Sequence, residues 1–151
     1  MAPLAYTIRL TGEAVELERG QFWAETRAVV PAEPVAASTA DLRATCGLCR
    51  RAIHVRSDGS LVETGEISFG REDAITFHAR GTIGASPEPR LRHGTAVLEV
   101  TGGRGRLAGA CGYVVSNFLL TDAGQLTDHH LALLFIQPAR RSAGERGIHH
   151  A

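Results

Sequence analysis

Short runs of apolar and β-branched residues recur along most of this chain, and Gly, Asp or Pro separates each run from the next. Such spacing is typical of β-strands, because an amphipathic helix would place apolar residues three or four positions apart over a longer segment. The pattern predicts eight strands, near Leu4–Leu10, Phe22–Val30, Arg51–Arg56, Leu61–Phe69, Ala74–Gly84, His93–Thr101, Cys111–Thr121 and Leu126–Gln137. We therefore expect an all-β fold with little helix.

The clearest two-faced strand is the fifth. Its apolar positions Ile75, Phe77, Ala79 and Ile83 alternate with Thr76, His78, Arg80 and Thr82, so one face is expected to be buried. Tight turns are predicted at Ser57–Ser60 and Asp122–Gln125, and a longer loop at Ser86–Arg90. Eight strands with short connections favour a closed antiparallel barrel over a two-sheet sandwich, because closure removes exposed edges.

The chain is predicted to form a single barrel domain over residues 1–138, followed by a flexible C-terminal tail at 139–151. The one ambiguous stretch is Pro31–Leu42, which is rich in Ala and Pro. It fits either a mobile loop or a short helix that begins after Ser38 or Thr39. We expect less than about 15% of the chain to be helical, mostly within this stretch.

Composition narrows the functional classes. The chain has 151 residues, 44% hydrophobic and 21% charged, with a formal net charge of zero. This fits one globular domain and gives no electrostatic footprint for nucleic acid or an anionic membrane. All 16 basic residues are Arg, so lysine Schiff-base chemistry is excluded. No signal-like segment and no membrane-spanning apolar run is visible, and we expect a cytoplasmic protein.

A cluster of glycines, Gly102, Gly103, Gly105, Gly109 and Gly112, could be taken for a phosphate-binding loop. That motif requires a helix after the glycines, whose N-terminus meets the phosphate. Here the sequence that follows is "YVVSNFLL", which predicts a strand, and the Lys of a P-loop is missing. We therefore expect a turn between two strands, with close backbone packing.

The same stretch, "VTGGRGRLAGACGYV", resembles the V-G-G-T-G-x-F-x-x-A-x-G signature of plant dirigent proteins and of the related allene oxide cyclase barrel. The matching positions are Gly102, Gly103, Gly105, Leu107, Ala110 and Gly112, with Leu107 in place of the usual Phe. The similarity extends loosely from Glu63 to Ile136, and the "SNF…DHH" residues have no counterpart in dirigent proteins.

This resemblance implies an eight-stranded antiparallel barrel with an apolar interior, assembled as a homodimer or homotrimer. Barrels of this kind, including small bacterial cyclases of polyketide pathways, bind a reactive intermediate and steer its cyclisation or coupling, typically without a cofactor. We therefore expect a cofactor-free isomerase or cyclase that acts on a small, largely apolar molecule of the natural-product type. The alternatives are a barrel that carries a hydrophobic molecule unchanged and a structural oligomer with a filled core.

The last two predicted strands carry the candidate chemistry. With Asp122–Gly124 as a three-residue loop, Ser116 lies opposite His130, Asn117 opposite His129, and Phe118 opposite Asp128. One face then holds Ser116, Phe118, Asp128, His130 and Leu134, and the other holds Tyr113, Asn117, His129, Leu131 and Phe135. Both faces mix polar and apolar residues, so the pattern does not decide which one lines the interior.

We take the second face as the candidate site, with His129, Asn117 and Tyr113 as catalytic residues, because His moves protons or polarises carbonyls near neutral pH. His130, Asp128 and Ser116 are the second choice. The predicted substrate-binding residues are Trp23, Phe77, Phe118, Leu131 and Phe135. The structural alternative is that these polar groups form hydrogen-bonded pairs in the barrel wall or at a subunit contact. A His that points into the interior would favour an enzyme over a carrier.

No complete metal site is visible, and we expect none. Cys46 and Cys49, with His54 after them, form half a zinc site or a pair able to form a labile disulfide. His129 and His130 are adjacent, so they point to opposite faces of a strand. Asp128 and His130 share a face, but further ligands would have to come from His78 or His93 on other strands.

The remaining polar residues are given ordinary structural roles. Glu63, Glu66, Arg80 and Glu99 are expected on the outside or in ion pairs at the barrel rim, where they contribute little. Cys111 is expected to be a small buried residue.

Overall fold

The structure is a computed structural model that describes residues 2–35 and 47–137. Its strands are β1 Ala2–Glu18, β2 Gln21–Ala28, β3 Glu33–Pro34, β4 Gly47–Val55, β5 Ser60–Phe69, β6 Asp73–Ala85, β7 Leu91–Arg104, β8 Cys111–Thr121 and β9 Gln125–Ile136. Over these residues the only helical segment is one 3₁₀ turn, Gly105–Leu107. The all-β prediction is confirmed, and no helix in the described ranges is long and apolar enough to cross a bilayer.

Eight of the strands form a closed antiparallel barrel. Strands β4 to β9 pair in chain order, β2 pairs with β4, and β1 closes the barrel because it pairs with both β9 and β2. The two-residue β3 adds to β1 at Tyr6 and Thr7. Closure depends on the length of β1, whose residues 2–13 pair with β9 while residues from Leu10 onward pair with β2.

The strand that closes the barrel passes very near its neighbour at Gly12. This residue faces Leu126 on one side and Thr26 on the other. A Cβ at this position would overlap the backbone carbonyl oxygen of Glu25. Glycine is therefore the residue that allows β1 to contact two strands at once.

The side chains of alternating strand positions point into the interior. Its buried apolar residues come from every long strand and include Leu10, Ala24, Cys49, Ile67, Ile75, Phe77, Leu98, Val114, Phe118, Leu126 and Leu134. Burial of a Leu, Ile or Phe side chain stabilises a fold by roughly 1.5–3 kcal/mol. The alternation predicted for the fifth strand is confirmed, since Ile75, Phe77 and Ala79 are all buried in β6.

All eight predicted strands are present, and most of their ends differ by a few residues. The largest difference is in β1, which continues to Glu18 and turns at Gly20, with a φ of +78°. This extension escaped prediction because its apolar residues, Val15 and Leu17, alternate with Glu and are more than half exposed. They lie on the outer surface of a hairpin rather than in the core.

Two predicted features fall on parts of the chain that the structure does not describe. The short helix or loop of Pro31–Leu42 is covered only as far as Val35, where the chain forms β3 and then donates Val35 N to the carbonyl oxygen of Ala5 at 2.9 Å. Residues 36–46 and the predicted tail at 139–151 lie outside the described ranges.

The glycine-rich turn joins β7 to β8, so a strand follows the glycines as predicted. Gly105 has a φ of +64°, and a Cβ on Gly103 would overlap the carbonyl oxygen of Leu107. The Asp73 carboxylate accepts hydrogen bonds from the backbone N and the Nε of Arg106, both at 2.8 Å. The Arg106 hydrogen bonds hold the pKa of Asp73 below its usual range. The turn is thus fastened to the first residue of β6.

Candidate functional site

The final hairpin has the register predicted from its loop. Ser116 lies opposite His130, Asn117 opposite His129, and Phe118 opposite Asp128. Gly124 closes the loop with a φ of +85°, and its N donates to the carbonyl oxygen of Thr121 at 3.0 Å. The two faces predicted from the sequence are therefore correct, and the structure decides which of them points inward.

The face of the hairpin that points inward carries Ser116, Asp128 and His130, the second choice of catalytic residues in the sequence analysis. Ser116, Asp128 and His130 are 0%, 0% and 2% exposed. They point inward because Val114, Leu120, Leu126 and Leu134 share their side of the hairpin and fill the core. The expectation that Tyr113, Asn117 and His129 line the interior is wrong, because all three lie on the exposed outer surface. Their catalytic role stays an untested prediction.

The predicted substrate-binding residues divide between the two sides of the barrel wall. Phe77 and Phe118 point inward and are buried, at 3% and 5% exposure. Trp23, Leu131 and Phe135 point outward with exposed side chains, so they cannot contact a ligand held in the interior. The apolar residues of β8 and β9 are thus shared between the core and the outer surface, which explains why both faces looked alike in the sequence.

Asp128 is the centre of the buried polar group. Its Oδ1 accepts a hydrogen bond from Ser116 Oγ at 2.7 Å, and its Oδ2 lies 2.8 Å from His130 Nε2. Arg51 Nη2 also donates to Oδ2, at 2.5 Å. Burial opposes ionisation of this carboxyl, but the electrostatic interactions with His130 and Arg51, with the hydrogen bonds from His130 and Ser116, outweigh it and hold its pKa well below its usual range.

Arg51 reaches this group from the opposite side of the barrel. It lies on β4 between Ala24 on β2 and Gly65 on β5. A Cβ on Gly65 would come within 2.9 Å of the Arg51 Cβ. Its guanidinium carbon lies 5.9 Å from the centre of the Phe118 ring. Burial alone would lower the pKa of Arg51, but the charge of Asp128 outweighs it, and that pKa lies above its ordinary value.

Glu63 adds a second carboxyl to the interior. It lies on β5, its side chain is fully buried, and its Oε2 is 3.6 Å from Arg51 Nη1. The expectation that Glu63 faces outward is wrong, because it shares the inward side of β5 with Leu61 and Ile67. The residues predicted together with Glu63 to lie outside, Glu66, Arg80 and Glu99, are on the outer surface. There Glu66 pairs with Arg104 and Glu99 with His78. Burial raises the pKa of Glu63 above its usual value.

Several of these buried polar atoms have no hydrogen-bond partner among the described residues. They are Tyr6 Oη, Thr26 Oγ1, Arg51 Nε and Nη1, both carboxyl oxygens of Glu63, and His130 Nδ1. A buried polar atom without a partner costs about 1–3 kcal/mol. The interior thus concentrates buried donors and acceptors around Arg51, within a largely aliphatic wall.

The sequence contained a signal for Arg51 and Glu63 that was missed. Arg51 has the same parity as Cys49 and Ile53 in its strand, and Glu63 has the same parity as Leu61 and Ile67. A single charge at an inward position of an otherwise apolar strand face indicates a buried ionic group. The link from Arg51 and Glu63 to Asp128 is visible only in the fold, where β4, β5 and β9 surround one interior.

The arrangement around His130 is suited to proton transfer. When the ring is neutral and Nε2 donates to Asp128, Nδ1 carries the lone pair and has no hydrogen-bond partner among the residues that the structure describes. Asp128 then fixes both the tautomer and the ring orientation, as carboxylates do for histidine bases. The guanidinium of Arg51 is placed to stabilise negative charge that develops on a ligand oxygen.

The cysteines contribute less than the sequence indicated. Within residues 2–35 and 47–137, no three His, Cys, Asp or Glu side chains converge as metal ligands would. Cys49 is a buried free thiol whose pKa burial raises to about 12, while Cys46, its predicted partner, lies outside the described residues. The expectation that Cys111 is buried is wrong, because it occupies an outward position of β8.

The outer face of the hairpin has a shallow site of its own. Asn117, His129 and Leu131 line a groove of about 390 Å³ whose other walls include Arg9 and Pro31. Arg9, His129 and Asn117 form one cross-strand row, since Arg9 pairs with His129 and His129 with Asn117. All three residues are exposed, and the groove is open to solvent on the barrel exterior.

Comparison with solved structures supports the barrel. The pterocarpan synthase dirigent protein GePTS1 has a similar fold, with a TM-score of 0.58 over 87% of this chain and 88% of that one, at 14% sequence identity. No protein-family model matches the sequence, and no curated protein does either. At this identity the likeness is one of fold, and it agrees with the resemblance carried by the glycine-rich turn. The chain folds as a dirigent-like, closed eight-stranded β-barrel.

Proposed function

We propose that this protein is an isomerase or cyclase that holds a small, largely apolar reactive intermediate inside the barrel and steers its cyclisation without a cofactor. One observation carries the proposal. Ser116, Asp128 and His130 form a buried hydrogen-bonded group in the interior, and Arg51 contacts the same carboxylate. An inward-pointing His is the feature that separates a catalytic barrel from a carrier with a purely aliphatic interior.

The composition of the interior supports the class of substrate. Most inward positions are aliphatic or aromatic, which favours a ligand with an apolar body. The polar atoms are concentrated around Arg51, Asp128 and His130, which favours a carbonyl or hydroxyl oxygen at one place on that body. A barrel of the same fold carries the name of a synthase, which is consistent with a role in steering a reaction.

The proposed roles follow from the contacts. His130 Nδ1 removes a proton next to a carbonyl of the bound molecule, and Asp128 stabilises the imidazolium that forms. Arg51 stabilises the negative charge that develops on the carbonyl oxygen. Ser116 orients Asp128 by its hydrogen bond to Oδ1. The barrel wall holds the flexible intermediate in one conformer, which lowers the entropic part of the barrier.

The second candidate function is a carrier of a hydrophobic molecule. It is favoured by the aliphatic majority of the interior, where Leu10, Leu98 and Leu134 are fully buried. A carrier would bind the same ligands, but the buried polar group would then serve only to hold the ligand or to specify the fold.

Proton exchange of a simple ketone distinguishes the two functions. The test ligand is 2-tetralone, a small apolar ketone, and the measurement is the loss of its α-proton NMR signals in D₂O. The wild-type protein is expected to accelerate this exchange, and His130→Ala to abolish the acceleration because the base is gone. His129→Ala is the matched control, since the neighbouring His points outward, and it should exchange like the wild type.

Two results would count against the proposal. If the wild-type protein binds 2-tetralone in calorimetry but does not accelerate exchange, the carrier becomes the better account. If His129→Ala loses the activity while a folded His130→Ala keeps it, the chemistry lies in the outer groove and not in the barrel interior.

A further inference from the structure

Glu63 is a buried carboxyl that the proposed mechanism leaves without a task. Its side chain is fully buried, and neither carboxyl oxygen has a hydrogen-bond partner in the described ranges. Arg51 Nη1, at 3.6 Å, is too far to count as a close hydrogen bond. Replacing Glu63 with an apolar residue would remove the cost of burying these oxygens. A group of this kind in the interior is expected to serve the ligand.

Arg51 connects Glu63 with the group around His130. Its Nη2 contacts Asp128, to which His130 is bound, and its Nη1 faces Glu63. Glu63 on β5 and Asp128 on β9 therefore lie at the two ends of one guanidinium, and His130 joins this group through Asp128. Within residues 2–35 and 47–137, the atoms of this cluster that lack a hydrogen-bond partner are His130 Nδ1, Arg51 Nη1 and Nε, and the oxygens of Glu63.

We infer that Glu63 is a second catalytic residue, the general acid that works opposite His130, so that a bound ketone gains a proton from one group while it loses a proton to the other. The inference rests on the proposed function of the interior. It goes further because it assigns the acid and predicts that the barrel catalyses keto–enol exchange by a paired acid and base.

The proposed step converts the bound ketone to its enol. His130 Nδ1 takes the proton from the carbon next to the carbonyl, and the C–H electron pair forms the new C=C bond. The carbonyl π pair moves to oxygen, which takes the proton of the Glu63 carboxyl group. The product is the enol of the same molecule, and the protein then holds an imidazolium and a carboxylate. The reverse step, or exchange with water after release, restores both groups.

The chemistry of the interior supports a protonated Glu63 as the resting form. Burial raises the pKa of this carboxyl, and the nearby Asp128 carboxylate raises it further, against the lowering effect of Arg51. A carboxylic acid kept neutral at working pH can donate its proton to a developing enolate. Asp128, by contrast, is held ionised by its hydrogen bonds and neighbouring charges, so the two carboxyls differ in role.

The experiment compares Glu63→Gln with Glu66→Gln in the 2-tetralone exchange assay. Glu66 is on the same strand but is exposed and paired with Arg104, so it is a matched control. Glu63→Gln should keep the calorimetric dissociation constant for 2-tetralone but lose at least about tenfold in maximal exchange rate, as expected for loss of a general acid. Glu63→Asp should recover part of the rate, while Glu66→Gln should match the wild type.

A spectroscopic arm reports on Glu63 without a ligand. The infrared spectrum of the wild-type protein at pH 7 should contain the C=O band of a non-ionised carboxyl group, and Glu63→Gln should lack it. Absence of this band overturns the inference. Exchange that is unchanged in Glu63→Gln but abolished in His130→Ala also overturns it, and leaves the proposed function intact. Loss of exchange in Glu63→Gln together with loss of the band supports it.

Discussion

At the scale of single residues, two buried carboxyls with opposite pKa directions should affect stability in opposite ways. The pKa of Asp128 is lowered in the folded state, so its contribution to stability is present above its unfolded pKa of about 3.9 and is lost as the pH falls. The pKa of Glu63 is raised, so folding is favoured below its unfolded pKa of about 4.3 and is disfavoured as the pH rises through the folded value.

Urea unfolding at pH 7 and at pH 4 of Asp128→Asn and Glu63→Gln checks these signs. Asp128→Asn removes the carboxylate that is hydrogen-bonded to the buried Arg51 and should lower the free energy of unfolding at pH 7 by about 3–5 kcal/mol, with a smaller effect toward acid pH. Glu63→Gln removes the penalty of a buried acid and should be neutral or stabilising at pH 7. A loss of stability in Glu63→Gln as large as that in Asp128→Asn would mean that Glu63 is ionised and paired with Arg51.

At the scale of strands, register was predictable and orientation was not. The three-residue loop and the alternation of β8 and β9 defined every cross-strand pair of the final hairpin. Which face points inward depends on the curvature of the whole sheet, and here Leu131, Leu133 and Phe135 are as apolar as the inward Leu126 and Leu134. The charges at inward positions of β4 and β5 indicate that Arg51 and Glu63 are buried, but only the contact between Arg51 and Asp128 links this pair to β9. No local pattern in β4 or β5 predicts that contact.

One packing step between β7 and β8 can be tested with a matched pair of glycines. A Cβ on Gly94 would overlap the ring of Phe118, whereas one on Gly84, in the neighbouring strand, meets nothing within 4 Å. Gly94→Ala should therefore lower the free energy of unfolding by about 1–3 kcal/mol, because the ring and the guanidinium stacked near it must move. Gly84→Ala should change it little. Thermal and urea unfolding measure both variants. If Gly94→Ala changes the free energy of unfolding no more than Gly84→Ala does, the interior tolerates a shifted Phe118.

At the scale of the whole molecule, eight strands and their closure into a barrel were predictable from the sequence, but the full length of the strand that closes the barrel was not. Closure requires β1 to span 17 residues, and the apolar pattern predicted only its first part, since the rest is exposed. The short connections between eight strands and the resemblance of the glycine-rich turn to dirigent proteins both predicted the barrel, and the fold confirms it. The predicted homo-oligomer stays a prediction, and the outer surface of the barrel offers a place to test it.

The outer face of β7, β8 and β9 carries a contiguous apolar surface. Tyr113 pairs with Leu133 across the hairpin, Val97 and Phe135 lie beside them, and all four are 37–55% exposed. We expect this exposed patch to be a contact surface between copies, and a chain with zero net charge has no long-range repulsion to oppose the contact. We expect light scattering to give a dimer or trimer for the wild type and a folded monomer for Leu133→Asp, since a buried charge would be placed in the contact. Val15→Asp, an equally exposed position on β1, should leave the assembly intact.

A monomeric wild type, or assembly that survives Leu133→Asp and is lost in Val15→Asp, would place any subunit contact elsewhere on the barrel.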